Sequence, residues 1–211
     1  MFLTAREMGL LDKLHPVHIL FKKRETICKQ GSTVSHAHIL LAGSAKMYIN
    51  GINERNIILN ILMPSNYIGL LGIFGISSYN YSVAALDNSH VCQVEFDFVK
   101  ELYASNVNFM ANLNHAFGES VVTIMQKLIS LNQKQIRGKV AESLLYLSRL
   151  YESESFVLTI TRKELGELSA ISEENAVRVL TEFRQEDIIQ IKGKEILLRN
   201  VPLLNKISEL G

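Results

Sequence analysis

Between Pro16 and Phe98 the apolar residues come in short runs, "HILF", "HILLAGSAKMYING", "NIILNILMPSN", "YSVAAL" and "VCQVEF", broken at close intervals by Gly, Asn, Ser and Pro. Runs this short and rich in Ile, Val and Tyr predict many strands in a barrel or sandwich. The period then changes. In "NVNFMANLNHAFGESVVTIMQKLISLNQ", Phe117, Val121, Ile124, Leu128 and Leu131 recur at alternating spacings of four and three, which predicts a long helix with a coiled-coil seam. Val122, Met125 and Ile129 form a second stripe beside the seam. A helix with two apolar faces needs two partners, so one face is expected on the β domain and the other on the same helix of a second subunit.

After the polar hinge "NQKQ" the helical pattern resumes, and Thr161 and Glu164 make a T-x-x-E capping box that starts a short helix. A second helix follows almost at once, with Ser172 as its N-cap and Glu173 and Glu174 in its first turn, where the helix dipole favours acids. Leu165, Leu168, Ile171, Val177 and Leu180 have the spacing to lock the two helices across the "SAIS" turn, which predicts a helix-turn-helix. The closing "IIQIKGKEILLR" reads as a hairpin wing with Lys192 and Lys194 at its tip.

Charge changes this picture little. The 211 residues carry a net charge of +1, and from Lys134 onward 12 Lys and Arg face 12 Asp and Glu, so any nucleic-acid surface has to be a local patch. Arg6, Glu7, Asp12 and Lys13 interrupt the stretch where a secretory apolar segment would lie, and the longest apolar run is about half of what a membrane helix requires; the expectation is a cytoplasmic protein without a membrane span. Cys28 and Cys92 are too few and too far apart for a disulfide framework or an iron–sulfur cluster. No nucleophile–base pair, phosphate-cradling loop or metal-ligand spacing points to an enzyme.

A β domain, a dimerising helix and a winged helix-turn-helix in this order resemble the cyclic AMP receptor protein/FNR (Crp/Fnr) family of bacterial transcription regulators. The resemblance rests on "FKKRETICKQGSTVSHAHILLAGSAKMYI", with Gly31 and Gly43 at turn positions, and on the more specific "TRKELGELSAISEENAVRVL". It implies an α+β chain: a cyclic-nucleotide-binding-like β-barrel of jelly-roll type over 1–107, a dimerisation helix over 108–134 and a winged helix-turn-helix DNA-binding domain over 135–211. It also implies a homodimer that reads double-stranded operator DNA, with RNA polymerase as partner. Glu174 and Arg178, four apart, resemble the family's base-reading Glu and Arg, and such pairs discriminate by about 1–3 kcal/mol each. Glu173 stands where the receptor-protein branch has a further Arg, so operator preference should differ. Arg162, Lys163, Ser172, Lys192 and Lys194 are candidates for phosphate contacts, which position without specifying sequence.

Within "YIGLLGIFGISSYNYSVAAL" the resemblance places the effector cassette at Gly69, Leu70, Leu71, Tyr81 and Ser82, with Ile124 and Met125 facing it from the long helix. Cyclic-AMP-binding members carry a Glu at the place of Leu70, an Arg at the place of Tyr81, and Thr and Ser at the places of Ile124 and Met125. Four polar contacts have become apolar or neutral, and an anionic phosphate without its Arg loses a strong charge-assisted partner. The cassette is therefore expected not to take cyclic AMP, leaving an unidentified apolar or weakly polar effector, or none. Haem stays open because His36 and His38 share one side of a strand and His115 opens the long helix. The rival functions are a ligand-sensing or protein-interaction module that keeps the helix-turn-helix as scaffold, and a haem-based gas sensor.

Overall fold

The computed structural model describes residues 15–51 and 56–210; Arg6, Glu7, Asp12 and Lys13 lie outside them. The contacts divide the described chain into two units, residues up to Ile49 with Ile61–Ile124, and Asn50–Asn60 with the residues from Met125 onward.

The first unit is built on two four-stranded sheets. One runs β1 (Val17–Phe21), β8 (Ser89–Glu95), β3 (His36–Ala42), β6 (Tyr67–Ile68); the other runs β2 (Thr26–Cys28), β7 (Ser82–Ala85), β4 (Ala45–Ile49), β5 (Ile57–Leu62). The expected barrel is corrected to this jelly-roll-like pair of sheets, each with its own edges. Alternation along the strands decides which face each residue takes. On β3 and β8, Leu40 and Val91 point inward to Cys28, Ala45, Leu62, Ile68 and Val83. Their neighbours Ala37, Cys92 and Val94 point outward, where they are covered by Phe96 and Val99 of helix α1 (Phe96–Ser105) and by Leu113 of the long helix α2 (Val107–Gln133).

Helix α2 begins at a side-chain cap, Asn106 Oδ1 accepting the Phe109 N–H at 2.7 Å. It meets the β domain through Phe109, Leu113 and Phe117, the last packed edge-on against Phe74 at 5.0 Å. Val122, Met125 and Ile129 do not follow them: all three are exposed, as are the seam residues Val121, Ile124 and Leu128, at 47–59%. The face expected on the β domain is formed by Phe109, Leu113 and Phe117, so Phe117, expected in the dimer seam, packs on that domain instead.

The second unit packs helices α3 (Ile136–Leu150), α4 (Arg162–Ser169), α5 (Glu173–Gln185) and α6 (Val201–Leu210) with a three-stranded sheet ordered β10 (Ile189–Lys192), β11 (Glu195–Leu198), β9 (Ser155–Val157). Its core is mostly aliphatic, joined by Phe156 and Phe183, with Val140, Leu144, Leu147, Leu165, Val179, Phe183, Ile196 and Leu204 fully buried. Among the described residues no helix is long and apolar enough to cross a membrane.

Candidate nucleic-acid interface and effector site

The helix-turn-helix is fixed by local chemistry at three points. At the start of α4, Glu164 N donates to Thr161 Oγ1 at 3.1 Å and Thr161 N to Glu164 Oε2 at 2.8 Å, so the capping box forms in both directions. At the start of α5, Ser172 Oγ accepts the Asn175 N–H at 3.2 Å. Between them a Cβ on Gly166 would stand 3.0 Å from the Ile171 carbonyl and 3.2 Å from the Glu173 nitrogen, so the helices approach as closely as they do only because residue 166 has no side chain.

The buried stripe of α5 is Ala176, Val179, Leu180 and Phe183. Val177, expected to help lock the helices, is instead 44% exposed and sits on the outer face with Glu173, Glu174 and Arg178. Ala176 shares the buried face with Val179, Leu180 and Phe183, and Val177, one residue on, turns outward. It is the residue that sequence reasoning missed; an exposed β-branched methyl pair among charged neighbours suits the C5-methyl of thymine.

Arg178 is not free. Its Nη1 donates to Glu182 Oε1 at 2.6 Å and its Nη2 to Asn175 Oδ1 at 3.4 Å. Of the phosphate candidates, Lys163, Lys192 and Lys194 are exposed. The last two flank Gly193, whose φ of 59° makes the tight turn of the wing. Arg162 is half-buried, its Nη2 pointing at the Gly193 carbonyl at 3.5 Å, and its Nη1 is buried without a hydrogen-bond partner. Burial lowers its pKa from the ordinary value. Arg162 therefore braces the wing, and Ser172 uses its Oγ as acceptor in the cap, which leaves its O–H to donate.

In the effector cassette, Gly69 and Gly75 take left-handed φ values of 87° and 82° at the two ends of a 3-10 turn over Leu70–Phe74. Leu70 is buried in the outer cluster with Ala37 and Phe96 and is a core residue. Tyr81 is half-buried against the inner core, and its hydroxyl oxygen accepts the Gly69 N–H at 3.1 Å. Burial raises its pKa, so it stays a neutral phenol. Ser82 accepts the Gln30 N–H at 3.0 Å. The backbone N–H donors of Gly69 and Gln30, which an anion would use, are thus already taken inside the protein. Leu71 is half-buried, while Ile124 and Met125 are exposed on α2. A groove of about 480 Å³ lies over Phe96, walled by His36, Gly72, Gly75, Glu95 and Lys100. Neither Tyr81 nor Ser82 lines it.

The three histidines considered for haem have separate partners. His36 Nδ1 meets Ser35 Oγ at 2.9 Å, His38 Nδ1 lies 3.5 Å from the Tyr79 hydroxyl, and His115 pairs with Glu119 at 3.7 Å. Among the described residues no group of three or more His, Cys, Asp or Glu is placed to hold a metal ion.

The family model described as cyclic nucleotide-binding domain matches residues 18–106, and that described as Crp-like helix-turn-helix domain matches residues 138–207. The chain belongs to the Crp/Fnr family. It is a transcription regulator of that type and not an enzyme; members of the family bind DNA operators and act as dimers. The chain is 25% identical over 199 residues to the transcriptional activator protein Anr of Pseudomonas protegens, covering 92% of this chain and 81% of the relative. It is 23% identical over 211 residues to the electron transport regulator A of Shewanella oneidensis, covering 98% and 84%. The crystal structure of FixK2 from Bradyrhizobium japonicum superposes with a TM-score of 0.84 at 19% identity, over 92% of this chain and 98% of that one, which shows the shared fold.

Proposed function

We propose that this Crp/Fnr regulator acts as a homodimer that reads its operator through Glu174, Val177 and Arg178, and that its effector domain does not respond to cyclic AMP. The observation that carries the first part is the outer face of α5. On a helix capped and fixed by Ser172 and Gly166, one turn presents a carboxylate, a β-branched apolar side chain and a guanidinium to solvent. These match, respectively, the cytosine amino group, the thymine methyl and the guanine N7/O6 edge in the major groove. Lys163, Lys192 and Lys194 supply the phosphate contacts. The acidic Glu173 weakens binding where a base edge offers only acceptors, which narrows the set of operators.

The second part rests on Tyr81. Its hydroxyl takes the Gly69 N–H at 3.1 Å, and a neutral phenol offers a phosphodiester no countercharge. The domain carries its own plug, so regulation by ligand, where there is any, uses a weakly polar molecule. RNA polymerase as the partner at the promoter and a cytoplasmic location belong to the same reading, and relatives named transcriptional activators support it.

One experiment tests both parts. Selection of bound sequences from random duplex DNA, run with and without cyclic AMP, is expected to return a single two-fold-symmetric consensus at the same protein concentration in either case. Recovery of no consensus at moderate salt would favour a helix-turn-helix kept as scaffold; a consensus obtained only with the nucleotide would overturn the account of Tyr81.

A further inference from the structure

Glu182 lies one turn beyond Arg178 on α5, and each of its two carboxylate oxygens holds a different arginine. Oε1 accepts from Arg178 Nη1 at 2.6 Å and Oε2 from Arg137 Nη1 at 3.0 Å. Arg137 belongs to α3 and is itself held on three sides. It meets Glu186 with both terminal nitrogens, at 2.8 and 2.7 Å, and its guanidinium lies 5.0 Å above the ring of the fully buried Phe183. The ion pairs with Glu186 and Glu182 raise the Arg137 pKa and lower that of Glu186, so both stay charged. Glu182 is the most covered of the three, its side chain 28% accessible against 36% for Arg137 and 52% for Arg178. The chain of contacts runs from an arginine fixed by two carboxylates and an aromatic ring, through a largely covered carboxylate, to an arginine that faces solvent.

We infer that Glu182 is a positioning residue for DNA recognition: anchored by Arg137, it holds Arg178 in one extended conformation along α5, ready for a base edge. This rests on the reading of Arg178 as the guanine contact. A guanidinium has five N–H groups. Glu182 takes one from Nη1 and Asn175 one from Nη2, which leaves one on each terminal nitrogen for N7 and O6 of guanine. A long side chain held before binding loses less rotamer freedom on binding, and the gain is specific to the sequence that uses the bidentate contact. The carboxylate also repels every phosphate nearby, so Glu182 lowers affinity for DNA in general while protecting the operator's advantage. Nothing in the local helix pattern shows this, because the anchor is 45 residues away.

The test uses the full-length dimer, the consensus duplex from the selection and a scrambled duplex of equal length, with the ratio of the two dissociation constants as readout and thermal midpoints as the control for folding. Glu182→Gln is expected to tighten binding to the scrambled duplex, since one negative charge is gone, and to lower the ratio about 3- to 10-fold. Glu182→Asp keeps the charge but falls short of Arg178; scrambled-duplex affinity should hold while the ratio drops by a similar factor. Equal tightening on both duplexes by Glu182→Gln, or an unchanged ratio for Glu182→Asp, would show that Glu182 acts only as a bulk charge and overturns the inference. Arg178→Ala separates the levels: loss of the ratio there, with no loss in the Glu182 variants, leaves base reading intact and removes only the positioning role, whereas a retained ratio in Arg178→Ala overturns both.

Discussion

His38 shows how far a single side chain departs from what its neighbours in sequence suggest. As one of two histidines on the same side of a strand it is a ligand candidate; in the fold it is buried on β3, its Nδ1 3.5 Å from the Tyr79 hydroxyl. Burial first, and the charge of His36 second, push its pKa down to about 4 from 6.5. The folded state thus keeps His38 neutral where the unfolded chain would protonate it. Above pH 6.5 both states are neutral and the residue makes no pH-dependent contribution. As pH falls from 6.5 towards 4 the unfolded chain takes up the extra proton, and stability is lost by an amount on the order of 3 kcal/mol. The expected outcome is that His38→Gln, though less stable at pH 7.5, loses clearly less between pH 7 and pH 4.5 than the parent in urea titrations. Equal losses would mean that His38 is charged in the native protein. Tyr81 makes the same point by a different route: the identity change was readable in the sequence, but its bond to the Gly69 N–H, which converts a missing clamp into an internal plug, joins residues 12 apart through a fold no local pattern specifies.

At the level of the element, the helix-turn-helix was legible because its signals are local. Thr161 with Glu164, and Ser172 before two acids, announce helix starts by capping chemistry that the structure reproduces atom by atom. What local pattern did not decide was the facing of α5, since Ala176 and Val177 are adjacent apolar residues and only one can point inward. The fold settles it by burying Ala176 with Val179, Leu180 and Phe183. The turn also carries a strain that was not foreseen: Ala170 closes α4 at φ 52°, a left-handed conformation costing an L-residue about 1–2 kcal/mol. Two substitutions four residues apart should therefore have opposite signs. Gly166→Ala drives a methyl against the backbone of Ile171 and Glu173, which cannot move without opening the turn, and is expected to destabilise by about 1–3 kcal/mol. Ala170→Gly relieves the strain, partly offset by the greater freedom of an unfolded glycine, and should stabilise by up to about 1 kcal/mol. Denaturant midpoints of the two variants check this directly; a stabilising Gly166→Ala would show that the helices are not in close contact. The β domain was legible only as a class. Short runs gave strands but not their partners, so two open sheets and a closed barrel looked alike.

For the whole molecule, the decisive feature is what α2 leaves uncovered. A helix of 27 residues is about 40 Å long at 1.5 Å per residue, and between Phe117 and Leu131 its apolar side chains are exposed. Val121, Val122, Ile124, Met125, Leu128 and Ile129 are each about half exposed on this one helix, a concentration that marks an interaction surface, unlike scattered single residues. Both stripes being open makes the patch wider than a strict seam, and a second copy of the same helix is the partner whose pattern fits it with two-fold symmetry. A dimer places two recognition helices on one duplex, so its affinity for a palindrome reflects both half-sites held together. Glutamate at the centre of the patch would face its own symmetry mate, burying two like charges without a partner, a cost of several kcal/mol. Val121→Glu and Ile124→Glu are each expected to sediment as monomers, to keep the helical content of the parent because the side chains are exposed in the single chain, and to lose the advantage of the palindrome over an isolated half-site. Both variants remaining dimeric by sedimentation would place the subunit contact elsewhere. If only the Ile124 variant dissociated, the contact would centre on the C-terminal part of the seam, at Ile124 and Leu128, with Val121 at its margin.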